Sequence, residues 1–188
     1  MSEQSVSKEI TTIEKIIAED ACEIAELTEE LIDLEEYACS QRPVPLARQY
    51  RIKIDGEHYF VQFPTITGSK LLELAHRDGP LVFEVIQHFH HQQTEVIDPS
   101  TEVDLRRPGV EKFTTEPKMV QVTVDSQPKT VQAGSYVVSA FKTLVSVDAA
   151  KALDQVINGE FRELSDQQTV QISGTEVFVS HARRGQSS

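Results

Sequence analysis

The sequence predicts an α+β chain of two like-folded small domains behind an acidic helical segment. Three observations carry this. A closing motif occurs twice: Glu102-Val103-Asp104-Leu105 followed by Gly109-Val110-Glu111-Lys112-Phe113, then Thr169-Val170-Gln171-Ile172 followed by Gly174-Thr175-Glu176-Val177-Phe178. A matching strand precedes each copy, Tyr50 to Asp55 and Val120 to Asp125. The copies are offset by roughly 65–70 residues, which suits paired domains rather than a solenoid of short repeats. Ahead of both lies a stripe of aliphatic residues at helical spacing.

Residues 1–45 form the acidic segment. Ile10, Ile13, Ile17, Ile24, Leu27, Leu31, Leu34 and Ala38 recur at alternating intervals of three and four, with Asp20 in one slot of the series. This is a heptad stripe and predicts an assembly helix. Pro43 and Pro45 end it, because proline lacks the amide hydrogen and restricts its predecessor. In a parallel self-coil Glu9 would face Glu14 of the partner, and Glu30 would face Glu35. Such like-charge pairs disfavour a simple two-stranded homodimer. Two shorter helices with a break near Glu19-Asp20 are the alternative.

The first domain spans 46–117. Gln49 to Asp55 alternates, Asp55-Gly56 signals a tight turn, and His58 to Phe63 resumes extended character. Thr67-Gly68-Ser69 opens a short helix over Lys70 to Ala75. Val82 to Ile86, Val103 to Leu105 and Glu111 to Phe113 read as further strands. The second domain spans 118–180 and repeats this order. Val120 to Val124 is a strand, Ser126-Gln127-Pro128 a turn, and Lys129 to Gln132 extended. Val137, Val138, Phe141 and Leu144 have helical spacing. Ala152 to Ile157 is ambiguous, and Val170 to Ile172 and Val177 to Val179 close the unit. A hairpin, a crossing helix and returning strands give a mixed sheet covered on one face. Residues 181–188 remain as a flexible tail.

Composition narrows the function. The formal net charge is −12, and residues 1–36 hold twelve acidic against two basic side chains. No basic surface suits nucleic acid, and the acidic segment would be repelled by anionic lipid. Cys22 and Cys39 form no C-x-x-C pair, so a disulfide framework is not expected and a reducing cytoplasm is. The amino-terminal residues lack the basic and apolar regions of a secretory signal, and no apolar run approaches the ~20 residues of a membrane span.

No catalytic constellation stands out, and the chain is expected not to be an enzyme. Cys39 has no placed base, there is no nucleophile elbow, and no glycine-rich phosphate loop occurs. On a strand, His88 and His90 would share a face with Glu84, but no second ligand cluster has metal spacing; His91 adds to a polar run. No metal or cofactor is expected.

The order of elements resembles the β-grasp fold of ubiquitin. The segment from Pro43 through Phe113 is similar to the bacterial multiubiquitin domain. Tyr50-x-Ile52-x-Ile54-Asp55-Gly56, Ile66-Thr67-Gly68 and Val103-Asp104-Leu105-x-x-Pro108-Gly109-Val110-Glu111-x-Phe113 carry the likeness. The second unit shares Gly174-x-Glu176-x-Phe178 but has Asp125-Ser126 at the turn. The resemblance implies two tandem β-grasp domains and a conjugated modifier. Its implied partners are an activating enzyme, a conjugating enzyme, a JAB-type peptidase and protein targets, in operons linked to phage defence. It also implies roles in the tail. Arg183 and Arg184 would be recognition residues, and cleavage between Gly185 and Gln186 would leave Gly185 as the attachment point. A single glycine stands where such tails usually have two. The alternative is an assembly module that builds homo-oligomers through the amino-terminal helix and the tandem domains.

Overall fold

The computed structural model of the chain describes residues 29–40 and 42–183. Ile10, Ile13, Ile17, Ile24 and Leu27 lie outside the described residues, as do Arg184, Gly185 and Gln186. The fold is mostly β-sheet with a few short helices. The described residues divide into two compact units: those up to 68 together with 86–114, and 69–85 together with 115–183.

Alternating burial builds the first sheet. Strand β2 (Ala47–Ile54) turns Tyr50, Ile52 and Ile54 inward. It pairs antiparallel with β3 (Glu57–Val61) across a two-residue turn. Asp55 and Gly56 both have positive φ there (50° and 92°), as the hairpin turn predicted from Asp-Gly requires. The short β4 (Thr65–Thr67) leads into α2 (Gly68–Leu74), the second helix, after α1 (Leu34–Ala38). Then come β5 (Phe83–Phe89), β6 (Thr94–Ile97), β7 (Glu102–Asp104) and β8 (Val110–Pro117). β7 returns antiparallel to β4. β8 lies parallel to β2 through Ile54 and Phe113. The sheet order is β2-β8-β5-β6, with β3 on the other side of β2.

One further strand joins this sheet, and it departs from the sequence expectation. Glu29–Asp33, predicted as helix, is strand β1, parallel to β2 with Leu31 opposite Gln49 and Ile32 opposite Tyr50. The two-residue period of a strand buries Ile32 and leaves Leu31 45% exposed, so Leu31 is no part of a continuous helical stripe. The amino-terminal half of β2 offers unpaired backbone groups, and satisfying them outweighs helix propensity in so short a segment. Helix follows only at α1 (Leu34–Ala38), where Leu34 and Ala38 are buried one turn apart. Asp33 caps it by accepting a hydrogen bond from the Glu35 amide at 3.0 Å.

The second unit uses the same plan. β9 (Met119–Val124) and β10 (Gln127–Gln132) form a hairpin, closed by Asp125 and Ser126 at φ 50° and 64°. β11 (Gly134–Val137) precedes α3 (Val138–Leu144) and pairs with β14 (Thr169–Ile172). β12 (Lys151–Ile157), β13 (Glu160–Leu164) and β15 (Val177–Ala182) complete the order β10-β9-β15-β12-β13. The ambiguous stretch from Ala152 is therefore an interior strand, with β15 and β13 on its two sides. β15 runs parallel to β9. Val122, Val124, Phe141, Leu153, Ile172 and Phe178 fill the core, and the Phe141 and Phe178 rings meet at 4.9 Å between centroids.

The segment 80–84 is part of this second unit. The Val82 amide donates to Ala133 O and the Ser135 amide to Pro80 O, both at 2.8 Å. The Lys118 amide donates to Val82 O at 3.0 Å. Gly134 allows the crossing: its φ is +144°, and a Cβ there would lie 2.5 Å from Pro80 O. No helix among the described residues is long and apolar enough to cross a membrane.

Gly134→Ala is expected to lower stability by about 2–4 kcal/mol, because both the backbone angle and the Pro80 carbonyl must yield. Urea unfolding monitored by circular dichroism checks this.

Candidate functional site

The candidate site is the end of β15 and the residues that fasten it. The motif Gly174-x-Glu176-x-Phe178 delivers the chain into this strand, and each of its residues has a distinct physical task. Gly174 sits at φ +118° with Val120 so close that a Cβ would stand 2.9 Å from the valine Cβ. Glu176 gathers the turn. Its carboxylate accepts from the amides of Ser173 (2.9 Å), Gly174 (2.8 Å) and Thr175 (3.1 Å), and from the Ser173 hydroxyl. Partial burial opposes its charge, but the Ser173 hydroxyl and the Gly174 and Ser173 amides outweigh that and hold the carboxyl below its ordinary range. Phe178 is fully buried. The first unit places Gly109 at φ +80° and buries Phe113 in the same way.

The hairpin turn clasps the strand that follows. The Asp125 amide donates to Phe178 O at 3.0 Å. Ser180 returns two hydrogen bonds to the Asp125 carboxylate, from its amide and its hydroxyl, each at 2.7 Å. These bonds, the Ser180 amide first, pull the Asp125 carboxyl down. The corresponding Asp55 amide donates to Phe113 O at 3.1 Å.

β15 extends two residues beyond the boundary at 180 expected from sequence. His181 lies opposite Ala152 and Ala182 opposite Lys151. The His181 ring is 3.1 Å from an Asp154 carboxylate oxygen, and its Nδ1 is 2.9 Å from Ala182 O. The carbonyl first and the carboxylate second raise the imidazole's pKa. The stabilisation from the charged ring is therefore complete below its ordinary value and is lost as pH rises through the raised one.

Arg183 is the last described residue, and it is anchored. Its guanidinium pairs with the Asp166 carboxylate and donates to Ala149 O at 3.3 Å. Asp166 also faces Lys142, whose side chain is 2% exposed on α3. The Lys142 ammonium donates to Asp166 Oδ1 (3.0 Å), Ala149 O (3.0 Å) and Lys151 O (2.6 Å). Arg183 first, then Lys142, holds the Asp166 carboxyl below its ordinary value. Sequence reading singled out Arg183 but not Asp166 or Lys142. A lysine buried at a core-spaced helix position next to Phe141 was the available signal.

The histidines do not converge. His88 Nε2 is 2.8 Å from the Thr114 hydroxyl, His90 lies 4.0 Å from Glu111, and Glu84 pairs with Lys118. Among the described residues no group of three His, Cys, Asp or Glu side chains is placed to hold a metal ion. Cys39 is free and exposed, with Sγ 3.1 Å from Glu36 O. In the second unit Ile157, Asn158, Glu160, Phe161 and Arg162 line an open depression on the β12–β13 hairpin, with Phe161 66% exposed. Sequence reading could not separate such surface residues from core.

The Multiubiquitin family model matches residues 50–118. That segment is therefore a multiubiquitin-like domain, on a mostly β chain compatible with the α+β class. No curated protein matches the sequence.

Asp166→Ala is expected to lower stability by about 1–2 kcal/mol, because it leaves the buried Lys142 ammonium with carbonyl partners alone. A depressed carboxyl contributes its full stability above its ordinary value of 3.8 and loses it as pH falls through the folded value. The gap between variant and parent in denaturant midpoint should thus close below pH ~4. An equal gap at every pH counts against the ion pair.

Proposed function

We propose that this chain is a ubiquitin-like protein modifier composed of two tandem β-grasp modules, with its reacting end just after β15. The observation that carries the reading is the repeated sheet plan. Along each half of the chain a hairpin is followed by a short helix and returning strands, and the closing strand is parallel to the hairpin's first strand. That is the plan expected of a β-grasp domain, and the Multiubiquitin match to residues 50–118 supports it.

The chemistry resides in Arg183-Arg184-Gly185 and the bond to Gln186. Glycine has no side chain to hinder attack on its carbonyl and adopts backbone angles closed to other residues. A peptidase of the JAB type hydrolyses the Gly185–Gln186 bond, releasing Gln186-Ser187-Ser188. The freed carboxylate attacks the α-phosphate of ATP at an activating enzyme, forming an acyl-adenylate and expelling pyrophosphate. An enzyme cysteine displaces AMP to give a thioester. A conjugating enzyme then presents the acyl group to a target amine, which displaces the thiol and forms the isopeptide bond. Arg183 and Arg184 offer planar guanidinium groups to acidic residues of those enzymes. Arg183 exchanges Asp166 for such a partner as the tail is drawn into an enzyme channel. The modifier itself catalyses nothing, and its setting is a cytoplasmic antiphage system.

Incubation with the cognate peptidase should remove the mass of the last three residues, and a product that retains Gln186 would refute the processing step. Gly185→Asp should abolish transfer to targets while the thermal melt stays unchanged. Full conjugation by that variant overturns the assignment of Gly185.

A further inference from the structure

We propose that the first unit carries a strand-docking groove beside β2, and that a second copy of this chain fills it by exchanging its own segment Glu29–Ala38. The inference stands apart from the modifier reading, and its test does not involve conjugation.

The groove is defined by what occupies it. β1 pairs with residues 47–51 of β2, and Ile32, Leu34 and Ala38 are buried to 2%, 1% and 1% exposure. The charges are complementary. Asp33 accepts from Arg51 Nε at 2.6 Å, and Glu35 accepts from Lys53 Nζ at 2.7 and 3.1 Å. Glu36 lies 3.8 Å from Arg51, and Glu35 lies 3.7 Å from His58. An acidic strand and helix turn, with Ile32 and Leu34 inward, thus sit against a basic rim.

This occupant is an addition to the fold. The second unit completes its five-stranded sheet without a counterpart to β1, in the order that the first unit repeats with β2, β3, β5, β6 and β8. Withdrawing β1 leaves that common plan whole but exposes the apolar floor of the groove. An empty groove is therefore costly, and another copy of the segment restores every contact. The connection also points to exchange. β1 and β2 run parallel, so the chain must return to the starting end of β1 before β2 begins, and Pro43 and Pro45 limit how it can do so. A short, constrained hinge that opens instead of folding back carries the segment to a neighbour. Exchange conserves the contacts, so its extent depends on concentration relative to the tethered segment's effective concentration, of millimolar order for a short tether.

Two full-length chains test this, both with Cys22 and Cys39 changed to Ser. One carries Leu31→Cys and the other Gln49→Cys, exposed positions that face each other in the register. Mixed under oxidising conditions, they should yield a disulfide-linked pair that increases with concentration. Its yield should exceed that with Arg48→Cys, one residue out of register, by roughly tenfold. Adding Arg51→Glu to the Gln49→Cys chain should suppress the link. Equal yields at positions 48 and 49, or no effect of Arg51→Glu, would mean random collision and overturns exchange. No interchain link at millimolar protein, with Leu31→Cys and Gln49→Cys in one chain closing an internal disulfide, would mean a strap that serves only its own chain. That result overturns it as well.

Discussion

The parallel contact between the hairpin's first strand and the closing strand of each unit imposes the rest of the architecture. Two parallel neighbours cannot be joined by a tight turn; the chain must leave the sheet, cross a face and return. In the first unit Ile54 meets Phe113 in this way, and in the second Val124 meets Phe178. The buried phenylalanine, the glycine two turns of the strand's pleat before it and the hairpin aspartate whose amide reaches its carbonyl belong to one arrangement. It explains why one closing motif appears twice in a chain whose other residues have drifted.

Charge is arranged with comparable economy. The acidic excess at the amino-terminal end is partly matched by Arg51, Lys53 and His58 on the first hairpin. In the second unit a single carboxylate, Asp166, serves a buried ammonium and an exposed guanidinium together. Exposed ion pairs contribute little individually. The Lys142 contact differs because its ammonium has no access to water and depends on three protein oxygens.

Much of this was legible in the sequence. The Asp55-Gly56 turn, the alternation through β2 and β9, and the short helices each follow from local chemistry. β13 was missed although Asn158-Gly159 is a strong hairpin signal; the pair sits at φ 52° and 84°, between β12 and β13. β6 had a weaker signal, since the turn before it puts Gln92, not glycine or asparagine, at φ 63°. β1 was misread for a different reason. Leu31, Leu34 and Ala38 fit helical spacing, but the open edge of β2 is a tertiary fact that periodicity cannot register. Likewise no composition shift marks residues 80–84 as hydrogen-bonded to Lys118, Ala133 and Ser135. In the tail, Arg183 was visible as a type, and its carboxylate partner was not, because the loop holding Asp166 is brought near only by the fold.

The interior position of β15 has a mechanical consequence. Its carboxyl end and the amino end of its parallel neighbour β9 lie at opposite ends of the shared contact, so tension applied between them slides one strand along the other. The bonds resist together, in shear, rather than parting one at a time as in an unzipping hairpin. A motor that drags the second unit by its last residues must break that resistance, and the antiparallel bonds to β12 beside it, before the core yields.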